Sequence, residues 1–182
     1  DLNLKHQLAD RLPNLSYGGS IHVCEQLCAS TFVHELAMNS GFIIDADKLK
    51  NSMAQICKAA VQLYLSEPSL TTLHAVTASQ ALADLTQRFA KGDRSGAIFT
   101  RLWQHYWLWL TALFIEKGCT LSSIEPIETE QVISAKIDWQ QLSKRALRTN
   151  EVHVIKMLYS CKWLFEQIDA DPIYKRAAEE ML

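Results

Sequence analysis

The chain has 182 residues, 48% of them hydrophobic and 21% charged, with a formal net charge of -2. That balance describes one folding domain with a core of its own, and it excludes a disordered tail, a collagen-like repeat and a membrane bundle. With a pI near 6.3 there is no basic field to draw in a phosphate backbone, so nucleic acid is not an expected partner.

Only six Gly and four Pro occur, and they fall mostly where periodic segments stop, the punctuation of a helical protein. A first helix is expected over Asn3 to Arg11, ended by the turn at Pro13. A second runs from Ser20 to Met38 and stops at Asn39, Ser40 and Gly41. Asp45 or Asp47 caps a third reaching Leu65, in which Met53, Ile56, Ala60, Leu63 and Tyr64 recur at helical spacing. Pro68 forces a break and Ser69 caps a fourth, with Ala75, Ala78, Leu82, Leu85 and Phe89 as its core-facing row and Gly92 as its end.

The fifth helix, Ser95 to Lys117, is apolar nearly all round, which predicts a central position, and its longest apolar run is too short and too interrupted to span a bilayer. From Cys119 to Ala135 the pattern turns irregular and predicts a loop with at most a short extended piece. Asp138 caps a sixth helix to Arg148, Asn150 a seventh to Gln167, and Asp171 with Pro172 an eighth to the terminus. The expectation is an all-α, single-domain array of about eight helices over residues 1–182.

Five cysteines, Cys24, Cys28, Cys57, Cys119 and Cys161, form neither a paired CxxC set nor an even disulfide framework, so reduced thiols in a cytoplasmic protein are expected. The start at Asp1, Leu2, Asn3 carries no leader pattern and no initiator Met, which reads as a trimmed N-terminus.

No GxGxxG, GxxxxGK[ST] or GxSxG segment occurs, so no tightly bound flavin is expected and any nucleotide would need a non-standard site. His34-Glu35 opens an HExxH pattern that fails at Met38, the Glu-x-x-His pairs of di-iron bundles are missing, and Cys24 with Cys28 reads as core; no metal motif results.

Three histidines stand beside polar partners on helices: His22, His74 with Thr77, and His153 with Lys156. Residues three apart share a helix face, so Thr77 can offer a hydroxyl near His74 and Lys156 a cation near His153. Imidazoles so placed in an apolar pattern can act as bases or orient a ligand, and His74, Thr77 and His153 are expected to face one interior cavity. His6, His34 and His105 carry weaker signals. The bland alternative for each is a hydrogen-bonded histidine of the core margin.

Leu73-His74-Ala75-Val76-Thr77-Ala78 resembles the LHAVTA segment of questin oxidase-like proteins, and Glu151-Val152-His153-Val154-Ile155-Lys156 resembles their DEHVIK segment, with an apolar Trp-rich helix between the two as in that family. A third signature, an LPGL turn followed by HGLIR, survives only as Leu12-Pro13-Asn14-Leu15 and then His22, where Val23 replaces Gly and Gln26 stands for Arg. The second motif has lost one carboxylate to Val152.

The resemblance spans about Arg11 to Cys161 and corresponds to the later half of usual members. It implies an all-helical oxidoreductase that carries out Baeyer–Villiger-type oxygenation of an aromatic polyketide-like compound with NADPH. His74, His153, Thr77 and His22 would then be catalytic, and Trp103, Trp107 and Lys156 would hold the small aromatic substrate. The alternative is a helical binding module that has kept the scaffold without the chemistry.

Overall fold

The computed structural model describes residues 25–31, 34–35, 49–117 and 138–182; the helix expected over Asn3 to Arg11 and the Cys119 to Ala135 loop lie outside these residues, and of the helix expected from Ser20 to Met38 residues 25–28, 31 and 34–35 are helical, with a turn at Ala29. The protein is all-α, with no strand among the described residues. From Leu49 onward six helices follow one another among the described residues: α1 (Leu49–Ser66), α2 (Leu70–Phe89), α3 (Asp93–Glu116), α4 (Trp139–Thr149), α5 (Val152–Gln167) and α6 (Pro172–Glu180). No helix among the described residues is long and apolar enough to cross a membrane.

The boundaries have local chemical causes. Ser69 Oγ accepts the Thr72 N–H at 3.2 Å while Thr72 Oγ1 accepts the Ser69 N–H at 3.0 Å, a reciprocal pair that satisfies two orphan donors at the start of α2. Gly92 takes φ 98° between α2 and α3, a conformation that a Cβ would strain. Asp138 accepts the Gln141 N–H at 2.8 Å to start α4, and Asp171 accepts the Ile173 N–H at 3.0 Å with Pro172 opening α6. The expected cap of α5 shifts by one residue. Asn150 adopts φ 51° and closes α4, and Glu151 caps α5. Asn tolerates the left-handed region because its short amide bonds locally, so it suits a helix end better than a helix start here.

The chain groups into two compact units, Asp1–Ser52 with Phe89–Ser123, and Met53–Arg88 with Ile124–Leu182. In the first, α3 buries Trp103, Trp107, Leu110 and Phe114 at three-four spacing. Trp103, Tyr106 and Trp109 make a chain of ring contacts, each with centroids 5.7 Å apart. The expectation that α3 is enclosed all round holds for Leu110 to Ile115 but not earlier, where Ile98 and Leu102 lie exposed. Arg101, Gln104 and His105 share that exposed stretch. The polar residues interleaved in the first turns leave one face in water.

In the second unit α5 packs on α4 and α6, with Trp139 against Phe165 at 5.6 Å. Along α2 and α5 three pairs meet: the His74 and His153 rings, Gln80 with Ser160 at 3.5 Å, and Gln87 Nε2 donating to the Gln167 carbonyl at 3.1 Å. The numbers rise together on both helices in steps of about two turns, so α2 and α5 run side by side in the same direction. From α1, Lys58 pairs with Asp169 and, at 2.8 Å, with Asp171, tying it to the α5–α6 connection. Burial works to lower the Lys58 pKa, but the hydrogen bonds and charges of the two aspartates outweigh it and hold the ammonium above its ordinary value.

Candidate functional site

The parallel run of α2 and α5 brings their N-terminal ends level. His74 is the fifth residue of α2 and His153 the second of α5, and their rings meet edge to face with centroids 5.9 Å apart and planes at 72°. Two residues 79 positions apart in sequence are therefore neighbours. The meeting place differs from the expected interior cavity: His74 is exposed and His153 half-exposed, with 36% of its side chain in solvent.

The reason lies in the stripe to which each belongs. On α2 the residues Leu70, His74, Ala78, Ala81 and Leu85 recur at three-four spacing and all are exposed, whereas Leu73, Val76 and Ala83 on the opposite stripe are buried. Leu85 and Ala78 were expected to face the core. Alanine and leucine make the outward row as apolar as an inward one, so composition could not tell the two faces apart.

Glu151 is the residue that sequence reasoning missed. Its Oε1 accepts both the His153 backbone N–H at 3.2 Å and the ring Nδ1–H at 2.9 Å. One carboxylate thus caps α5 and sets the tautomer of the imidazole. These two hydrogen bonds hold the Glu151 carboxyl below its ordinary pKa, against the slight opposing effect of burial. The available signal was an acidic residue two positions before a histidine at a helix start.

The other expected site residues are placed as follows. Thr77 Oγ1 donates to the His74 backbone carbonyl at 3.2 Å, so its hydroxyl is engaged with its own helix and not with the imidazole ring. Lys156 is exposed one turn after His153, and the charged group in contact with that ring is Glu151 instead. Trp103 and Trp107 belong to the first unit and are 0% and 3% exposed, within its core. His22 lies outside the described residues. Among the described residues no group of three or more His, Cys, Asp or Glu is arranged to hold a metal ion.

Both motifs that supply the imidazole pair fall within residues 17–161, the stretch matched by the family model for questin oxidase-like proteins. The chain belongs to the questin oxidase-like family. No curated protein and no solved structure matches it. Questin oxidase-like describes an oxidoreductase type of family, and in this member the histidines of the LHAVTA and EVHVIK segments stand against each other at the surface, one of them held by a carboxylate.

Proposed function

We propose that this questin oxidase-like chain is an oxidoreductase that oxygenates an aromatic polyketide-like compound in the Baeyer–Villiger manner, with the His74–His153 pair as its proton-handling centre. The observation that carries this reading is the 5.9 Å contact between the two imidazoles. Glu151 accepts from His153 Nδ1 and so leaves Nε2 with its lone pair, the state in which an imidazole takes a proton from a phenolic hydroxyl. His74, one ring away, can hold the resulting phenolate oxygen or pass the proton to solvent. Leu70 and Ala78 lie one turn to either side of His74, and Val152 and Ile155 flank His153, all exposed, so the pair has apolar surroundings on which a flat ring can rest.

Dioxygen would be the oxidant of such an oxygenation: NADPH, implied by the family resemblance, would supply two of the four electrons it takes and the substrate the other two, one oxygen atom entering the substrate and the other leaving as water. The described residues, all helix and connection, offer no βαβ cradle for the NADPH pyrophosphate, so the reading rests on the imidazole pair and the family match.

The alternative, a binding module without chemistry, draws support from the exposure of the pair and of the apolar row beside it. The two readings part in a turnover assay with a hydroxylated anthraquinone and NADPH, following NADPH oxidation and product formation. His74→Ala and His153→Ala are expected to lower kcat by about 10²–10⁴ without unfolding the protein, the range for a lost acid–base group. Turnover unchanged in both variants would sink the reading, and ligand binding without turnover in the parent chain would favour the module.

A further inference from the structure

We infer that the outward row of α2 is where two copies of this chain pair, antiparallel, about a two-fold axis between Thr77 and Ala78. From Leu70 to Leu85 every exposed residue of α2 belongs to one stripe: Leu70, His74, Ala78, Ala81 and Leu85. None of the five is an acid, a lysine or an arginine, and the two leucines are 60% and 46% exposed. A helix face left to water ordinarily carries charge, and an apolar patch in its place marks a contact surface.

The spacing of the row selects a second copy as its occupant. Turned end for end about the point between Thr77 and Ala78, the row falls on itself. Leu70 comes opposite the partner's Leu85, His74 opposite the partner's Ala81, and Thr77 opposite the partner's Ala78. A two-fold interface requires this, because one patch must serve both sides. Leucines stand at the ends and small residues in the middle, so the two helices can approach closely at the centre. Thr77 Oγ1 donates to the His74 carbonyl at 3.2 Å, so the central hydroxyl is already bonded within its own helix.

The neighbouring helix obeys the same axis. The pairs that join α2 to α5 match each α2 residue with one 79 or 80 positions later, which sets Met157 level with the axis. About that level the exposed Ile155 comes opposite the partner's Tyr159, itself exposed. Beyond Leu85, the end of α2 that carries Arg88 comes alongside the partner's Glu67, both exposed and of opposite charge. With Val152, Ile155 and Tyr159 added, the exposed row amounts to about 700 Å², near the ~800 Å² that each partner gives to a standard interface. Pairing does not depend on the oxygenation reading, and its test contains neither substrate nor NADPH.

Sedimentation equilibrium of the full chain over about 1–100 µM should reach twice the 20.6 kDa chain mass at the upper end. Ala78→Glu and Leu85→Glu should each weaken association at least tenfold, since each sets a carboxylate into an apolar contact, while circular dichroism shows the helix retained. Arg88→Glu should also weaken it, and Glu67→Arg in the same chain should restore it. A short bis-maleimide should join two copies of Ala78→Cys through residue 78, but not two copies of Leu70→Cys through residue 70, which lies about 11 Å along the helix from the axis. A monomer at every concentration would overturn the inference and leave the row to a different kind of partner. A dimer as tight in both glutamate variants as in the parent would overturn it too, as would cross-linking through residue 70 in place of residue 78.

Discussion

At the Glu151–His153–His74 face the polar groups of the second unit meet water, while around Tyr174 in its interior they meet only protein. Tyr174 is 0% exposed, and its hydroxyl has no hydrogen-bond partner among the described residues. Burial, with added repulsion from Cys57, Asp169, Asp171 and Cys161, drives its pKa far above the ordinary value. Cys57 and Cys161 are likewise buried free thiols. Burial pushes Cys57 up to about 12 against an opposing hydrogen bond from Ser79, and it raises Cys161 as well. At the surface, by contrast, hydrogen bonding decides, and Glu151 is shifted toward its charged form. The same kinds of group are thus inert inside and available outside because desolvation dominates in one place and hydrogen bonding in the other.

The contrast breaks most visibly if the interior is opened. Tyr174→Ala should cost about 3–5 kcal/mol of unfolding free energy, the range for emptying a buried aromatic site. Tyr174→Phe should be neutral or stabilising by roughly 1 kcal/mol, because it removes a hydroxyl that burial has left unpaired. Urea titration measures both, and a large loss in Tyr174→Phe would mean that the hydroxyl has a partner after all.

The thiols sharpen the same comparison. At pH 8 in native buffer, Cys57 and Cys161 should react with a soluble disulfide reagent about a thousandfold more slowly than in denaturant, since the thiolate is the reacting form. Peptide mapping after timed quenching assigns each site, and rapid labelling of either in the folded chain would contradict its burial.

Intermediate in exposure is the Lys58 bridge. Its two ion pairs are about a third exposed, so solvent screening keeps their value small, and Lys58→Met should cost roughly 1 kcal/mol. The Lys58 pKa is raised on folding, so this stabilisation is fully present below the unfolded value of about 10.4 and is lost as pH rises through the folded value. The parent and the variant should therefore converge in stability at strongly alkaline pH.

The smallest effect belongs to the exposed face. His74→Ala should leave unfolding free energy within about 0.5 kcal/mol of the parent, as for other surface changes. Glu151, whose folded pKa is lowered, supports the start of α5 above its unfolded pKa of about 4.3, and that support disappears as pH falls through the folded value. Backbone amide shifts at His153 followed by NMR should report that loss before any global unfolding.

Some of this was legible in the chain itself. Ser69, Asp138 and Asp171 all cap the helices expected of them, and the row Met53, Ile56, Ala60, Leu63 and Tyr64 is buried as a row. These are local matters, settled by hydrogen bonds and periodicity within a few residues. The site was legible in part: two short segments marked His74 and His153, but nothing in them showed that Thr77 would turn its hydroxyl to its own backbone or that Glu151 would be the partner of the second ring. The shift of the cap from Asn150 to Glu151 makes His153 the second residue of its helix, within reach of the capping carboxylate.

By itself, then, the sequence determined the all-α class, most helix limits and the family, since caps, breakers and motif residues act over short separations. Only the tertiary structure decided that α2 and α5 lie parallel, that the apolar stripe of α2 from Leu70 to Leu85 faces outward, and that two imidazoles 79 residues apart meet at the surface. Those outcomes depend on which of two similarly apolar faces finds the better partner. That is a contest of packing between distant segments, and the pattern within one helix cannot settle it.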